Sequence, residues 1–253
     1  MDAIVLAGGK TSREMRIVTG VTNRAMVELS AGRTMLDYIL AALAESKSVG
    51  RVFVVGDVPP QGGVTLVAPG ESLLDNLILG LDAAGVGSET SALMVSSDIP
   101  FITGPAIDDF VAAALIAAAD FCYPIIPMER YNREFAGMKR TTLKLAEGEF
   151  TGGNVMLVNA GFLLANRDAV KQAYAARKSV LRLGRMLGLS LLARILVSQL
   201  IAPSLLNVPT LEAGVARIVG GSVRGIVTPH PSLGTDVDKP EDVEFARMRL
   251  AGN

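Results

Sequence analysis

The 253-residue sequence predicts an α/β fold, a largely parallel sheet covered by helices on both faces. Three observations lead there. Short apolar, β-compatible runs recur along the chain, and most are separated by stretches with apolar residues at helical spacing. Half of the residues are apolar and only 19% are charged, which is enough to bury one substantial core or two small ones. In folds of this class ligands bind beyond the carboxyl ends of the strands, so function is expected on the loops that follow them.

The chain opens with the run Ala3 to Ala7, which enters the glycine pair Gly8-Gly9 and then the basic loop Lys10-Thr11-Ser12-Arg13. Glycines lack the side chains that would keep main-chain N–H groups from closing on an anion, so this is a candidate phosphate loop; an ordinary strand-to-helix turn is the alternative. Counting excludes two nucleotide motifs. A P-loop needs a glycine where this chain has Ile4, and the dinucleotide fingerprint needs alternating glycines, whereas Gly8 and Gly9 are adjacent and Ser12 follows. The opening run has no basic flank and is too short for a secretory signal, so a cytoplasmic location is expected.

Further along, Met35, Leu36, Ile39, Leu40 and Leu43 form one helical stripe, and Val52 to Val55 and Val64 to Val67 read as strands. Leu73, Leu74, Leu77, Ile78 and Leu81 form a second stripe before the strand Ala92 to Ser96. Ile107, Phe110, Val111, Ala114 and Leu115 form a third before the strand Phe121 to Ile126. Val155 to Asn159 and Val223 to Val227 complete the strands. The stretch from about Asn166 to Gly221 breaks the alternation, being helical in pattern and strongly apolar, and reads as an insertion. Arg194, Gly188 and Ser190 argue against a membrane span there. Its apolar faces suit a lid, a second copy of the chain, or peripheral contact with a membrane or interfacial substrate. Lys178, Arg182 and Arg185 share one helical stripe, read as a solvated face.

Composition narrows the chemistry. With 24 basic against 25 acidic residues there is no field to attract nucleic acid, so phosphate recognition has to come from local clusters. Cys122, the lone cysteine, reads as a buried small hydrophobe, and His230, the lone histidine, sits between prolines in an apparent loop; zinc ligation and Cys/His nucleophilic chemistry are poorly supported. Carboxylates are better placed. Asp98 follows the strand Ala92 to Ser96, where it suits a metal, a helix cap or a turn before Pro100. Asp236-Val-Asp238-Lys-Pro240-Glu-Asp242 follows the last strand and leads into a helix that Asp238 is also suited to cap. Two such aspartates, converging in a crevice, can hold magnesium through hard oxygen ligands. Thr151-Gly152-Gly153-Asn154 repeats the glycine pair, with a tight hairpin turn as the plain alternative. The preceding segment gathers Arg130, Arg133, Lys139, Arg140 and Lys144, charge that suits a phosphorylated acceptor.

The ordered set Leu6-Ala7-Gly8-Gly9 with Arg13, Ser97-Asp98-Ile99-Pro100, Thr151-Gly-Gly-Asn154 and Asp236-Val-Asp238-Lys-Pro-Glu-Asp242 resembles the nucleotidyltransferases of the nucleotide-diphospho-sugar transferase fold. Within that fold the chain looks most like the molybdenum-cofactor guanylyltransferase-like branch, from Ala3 to about Phe245 apart from the insertion. The resemblance implies a Rossmann-like three-layer sandwich with a mostly parallel mixed sheet, a single nucleotidyltransferase domain over 1–253 with a helical insertion at about 166–221. It implies an enzyme that uses Mg2+ to transfer a nucleoside monophosphate from a nucleoside triphosphate to a phosphorylated small-molecule acceptor, releasing pyrophosphate. By position, Leu6, Ala7, Gly8, Gly9, Lys10 and Arg13 would take the nucleotide, with Asn76 near the base. Asp98 and Asp238 would hold the metal. Gly153 and Asn154, with Arg140 and Lys144, would receive the acceptor, and Arg13, Arg24 and Asp98 would be catalytic. One departure stands out: where the family carries an Asp-Lys-Ala-Leu type stretch, this chain has Asn23-Arg24-Ala25-Met26, a planar fork in place of a compact ammonium. Two other readings stay open, a glycosyltransferase of the same fold with Asp236 and Asp238 as its metal pair, and a catalytically weak nucleotide-binding scaffold.

Overall fold

The structure, a computed structural model, describes residues 1–176 and 186–251. Lys178, Arg182 and Arg185 lie outside the described residues. The strands, in chain order, are β1 (Ala3–Leu6), β2 (Glu28–Ser30), β3 (Arg33–Thr34), β4 (Val52–Val55), β5 (Thr65–Val67), β6 (Ser91–Ser96), β7 (Phe121–Pro127), β8 (Thr142–Leu145), β9 (Gly148–Gly152), β10 (Val155–Asn159) and β11 (Val223–Val227). Nine of them form one mixed sheet in the order β5-β4-β1-β6-β10-β7-β9-β8, with β11 on the other edge of β7, while β2 and β3 form a small ribbon.

Why β1 lies inside the sheet, between β4 and β6, follows from its residues. Every side chain from Ala3 to Leu6 is buried. Alternate residues enter opposite layers: Ala3, Val5 and Ala7 pack with Leu36, Ile39, Ile107 and Phe110, and Ile4 and Leu6 pack with Leu74, Leu77 and Leu81. A strand covered on both faces reads as a continuous apolar run, and the three helical stripes are its covers. They are the helices Met35–Glu45, Leu73–Ala84 and Gly104–Ala117, each started by a hydroxyl cap from Thr34, Ser72 and Thr103 respectively.

β4, β1 and β6 run parallel, so the loops after β1 and β6 emerge on the same side. β10 is antiparallel to β6, pairing Val155 with Val95, so its first residue lies beside the end of β6. Consequently the segment before β10 joins the crevice from the opposite chain direction. β7 pairs with both β9 and β10 along one edge. Between the pairs Ile125–Gly152 and Cys122–Leu157, three steps along β7 match five along its partner. Gly153 and Asn154 are the surplus, so the second glycine pair marks a bulge where one long strand bends, not a hairpin turn.

The stretch read as an insertion is helical among the described residues: Arg167–Ala176, Leu189–Leu200 and Val208–Val219. Much of its apolar surplus is consumed against the sheet edge, where Leu187, Leu191 and Leu206 pack with Leu145 and Phe150. Leu196, Leu200, Ile201 and Leu205 remain exposed. Among the described residues, no helix is long and apolar enough to cross a membrane.

Candidate functional site

The glycine loop is strapped from below. Asn23 donates through its Nδ2 to the carbonyls of Ala7 and Asp57, both at 2.9 Å, and its Oδ1 accepts from Ala25 N–H at 3.0 Å. The Arg24 N–H donates to Gly9 C=O at 2.8 Å, and Thr11 N–H donates to Thr22 C=O at 2.9 Å. Leu6 and Ala7 are buried, and Ala7 spends its own N–H on Val55 C=O, so what the loop presents begins at Gly8. Gly8, Gly9 and Lys10 are exposed, and their N–H groups take no partner among the described residues. Arg13 is exposed on the first turn of a short helix capped by Ser12. Asn76 reaches this loop. Its Oδ1 accepts from Gly70 N–H at 2.6 Å, and its Nδ2 lies 2.9 Å from where a Cβ on Gly8 would sit, so a side chain at Gly8 would meet this amide.

The carboxylates converge as their positions suggested, with one addition. Val237 is fully buried among Phe101, Ile126 and Val243, and its N–H donates to Asp98 C=O at 2.8 Å. Side chains on either side of a buried residue in an extended segment share the opposite face, so Asp236 and Asp238 both turn toward Asp98. Oxygens of the three carboxylates lie within 4.8 Å of one another. Neither aspartate is spent on capping: Thr103 caps the helix after Asp98, and Asp242 accepts from the N–H groups of Asp238 and Lys239 at 3.1 and 2.9 Å.

Two arginines pair with the three carboxylates. Arg24 Nη1 donates to Asp98 Oδ2 at 2.7 Å and also to Asp238 Oδ1, and Ser96 Oγ donates to Asp98 Oδ1 at 2.6 Å. Arg140 pairs with Asp236 and reaches Gly152 C=O at 3.4 Å. The donor set is oxygen only. Such a set fits a hard divalent cation and lacks the nitrogen and sulfur ligands that zinc sites favour. Asn23 and Ser96 are members of this constellation absent from the expected site residues, and Asp236 was expected at a metal only under the glycosyltransferase reading.

Beyond the carboxylates lies a cavity of about 650 Å3, lined among others by Tyr123, Lys139, Arg140, Gly152, Asp236 and Lys239. Burial pushes the Tyr123 hydroxyl up from its ordinary value, so it stays a neutral donor. Of the four residues expected to receive an acceptor, Arg140 lines this cavity and Lys144, Gly153 and Asn154 do not. Leu143 and Leu145 face the helical segment, and the N–H and C=O of Lys144 are both bonded by the side chain of Gln199. Gly153 N–H donates to Pro124 C=O at 3.0 Å, and Asn154 N–H to Leu233 C=O at 2.8 Å. The close approach these glycines permit is made by the chain itself: a Cβ on Gly152 would lie 2.2 Å from Tyr123 Oη, and one on Gly153 would lie 2.5 Å from Pro124 Cγ. His230 sits outside this group, with Nε2 2.7 Å from Asp109 Oδ2.

A mixed, mostly parallel sheet with a bare glycine loop, strand-end carboxylates and an adjoining polar cavity is the arrangement expected of a nucleotidyltransferase, and similarity to known proteins supplies the class. The sequence profile of the MobA-like NTP transferase domain matches residues 3–201, and the chain belongs to that family. A phosphoenolpyruvate guanylyltransferase from Sphaerobacter thermophilus is 34% identical over 87 residues, covering 32% of this chain and 42% of that protein's length. A solved structure of a hypothetical transferase from Thermus thermophilus superposes with a TM-score of 0.81 at 33% identity, over 96% of this chain and 98% of the other. A 2-C-methyl-D-erythritol 4-phosphate cytidylyltransferase, also from Thermus thermophilus, shares the fold, with a TM-score of 0.54 at 17% identity over 98% of each chain.

Proposed function

We propose that this chain transfers a nucleoside monophosphate from a nucleoside triphosphate to a phosphorylated small-molecule acceptor, with release of pyrophosphate. The observation that carries the reading is the position of the carboxylate trio between an exposed glycine loop and a polar cavity, with cationic groups on both sides. In this reading residues 1–253 act as one nucleotidyltransferase domain in the cytoplasm, and the helices between about 166 and 221 are an insertion in it.

Gly8, Gly9 and Lys10 offer three consecutive main-chain N–H groups to the triphosphate, and Lys10 and Arg13 add charge. Asn76, already seated against Gly8, sets the nucleotide's position beside the loop. Asp98, Asp236 and Asp238 would hold Mg2+, which when bound neutralises charge on the reacting phosphates. Lys139 and Lys239 receive the acceptor's phosphate, and Tyr123 donates into the same cavity. An acceptor phosphate is already ionised, so its oxygen needs no general base to attack the α-phosphorus. Alignment opposite the departing pyrophosphate is the main demand, which accounts for a site without histidine.

The test is pyrophosphate release with Mg2+ from each of GTP, CTP, ATP and UTP, beginning with phosphoenolpyruvate as acceptor because of the guanylyltransferase similarity. Pyrophosphate formed in step with a nucleotidylated acceptor supports the proposal. Release of a nucleoside diphosphate from a nucleotide sugar would instead indicate glycosyl transfer, and nucleotide binding with neither product would leave a scaffold.

A further inference from the structure

We propose that Arg24 is the resident counter-ion of the carboxylate trio and must leave it for a divalent cation to enter, so that cation binding is tied to arrival of the triphosphate. This rests on the reading of Asp98, Asp236 and Asp238 as a cation site. The guanidinium of Arg24 contacts Asp98 at 2.7 Å and Asp238 as well, and so occupies the acidic mouth from the side of the glycine loop. Its other nitrogen, Nη2, lies 3.4 Å from Lys10 C=O, and its Nε is buried without a hydrogen-bond partner. One end of the group is therefore held by two carboxylates, and the rest stands against the loop that would receive phosphates.

Three carboxylates against Arg24 and Arg140 leave the cluster with one net negative charge. Arg140 is anchored in the wall: it pairs with Asp236 and stacks over the Tyr131 ring at 5.9 Å from its centroid. Arg24 is the group with somewhere to go. Moved from the carboxylates to a triphosphate on the adjacent loop, it leaves two net negative charges, the complement of a divalent cation. The same side chain thus opposes the cation before nucleotide binds and meets the leaving phosphates afterwards. Nη1 serves both carboxylates while Nη2 reaches Lys10 C=O, a hold across two nitrogens that a lysine's single ammonium lacks, so a lysine at this position would guard the trio more weakly.

The test is Mn2+ binding to the full-length protein without nucleotide, read from loss of the free-ion electron-spin-resonance signal. Arg24→Gln should bind Mn2+ at least about tenfold more tightly than the wild type, within the usual range for a coupling between two sites. Arg24→Lys should fall between them and serves as the second variant if Arg24→Gln does not fold, as judged by thermal melting. Adding Asp98→Asn to either variant should abolish the gain. Equal Mn2+ affinity in the wild type and the folded Arg24 variants, with Asp98→Asn still abolishing it, would overturn this inference and leave the cation site standing. Binding indifferent to Asp98→Asn, or absent from every protein, would overturn the cation site and this inference together.

Discussion

Gly152 is a sharply constrained position in the cavity proposed for the acceptor. A Cβ there would lie 2.2 Å from Tyr123 Oη and 2.8 Å from Cε1 and Cζ, against an ordinary contact that begins at 3.4 Å. In Gly152→Ala the hydroxyl must therefore retreat by roughly 1 Å, and overpacking of this kind typically costs about 1–3 kcal/mol. One side of the Tyr123 ring is stacked on Phe121 at 6.5 Å between centroids and 11° between planes, so the ring's room to move is the cavity. The expected result is a rise of about tenfold in acceptor KM, equivalent to about 1.4 kcal/mol, with triphosphate affinity unchanged because the glycine loop lies across the carboxylates. Steady-state pyrophosphate release at varied acceptor concentration measures the first, and calorimetric titration of the triphosphate measures the second. Tyr123→Phe in the same background removes the nearest atom and should restore part of the loss, a coupling that a general fold defect would not show. An unchanged acceptor KM, or an equal fall in triphosphate affinity, would refute the assignment of this cavity to the acceptor.

Asp98→Ala and Asp238→Ala should each lower Mg2+-dependent turnover by about a hundredfold or more, the scale of losing an electrostatic contact made in the transition state; wild-type-like turnover in either would remove that residue from the reaction. Gly8→Val places its side chain against the Asn76 amide, and calorimetry should show weakened triphosphate binding with a melting temperature close to the wild type. Asp108 offers a pH test away from the site. Despite the opposing desolvation, hydrogen bonds from Ser46 Oγ and the N–H groups of Lys47 and Ser48 lower its pKa from 3.8 to about 2. A depressed carboxylate contributes stability above its unfolded pKa and loses it as pH falls through the folded value, here between about 4 and 2. Asp108→Asn should cost about 1 kcal/mol at neutral pH after solvent screening and flatten that acid limb in urea melts; an acid limb identical to the wild type would show that Asp108 does not carry it.

The sequence by itself determined those features whose physics is local. Ala3 to Ala7, Val52 to Val55 and Val155 to Asn159 were legible as strands because burial on two faces favours near-continuous apolar runs, and the three helical stripes because a helix repeats every 3.6 residues. Asp98 and Asp238 were legible as candidates from their places after strands. β8 and β9 were not, since they are short, mix apolar residues with polar ones and glycine, and pair antiparallel at the sheet's edge. The bulge at Gly153-Asn154 also escaped, because glycine reports that something comes close without saying what. Here Tyr123, Pro124 and Leu233 do so.

Only the tertiary structure decided which charges meet. Arg24 is 74 residues from Asp98 and 214 from Asp238, yet one nitrogen serves both. That contact depends on parallel strands delivering two loops to one end of the sheet, on Val237 fastening its segment to Asp98, and on Asn23 holding the turn beneath Arg24. Each link is a hydrogen bond or a packed side chain between distant parts of the chain, and no local periodicity encodes it. Spacing therefore nominated the aspartates, while chain crossing selected their partners.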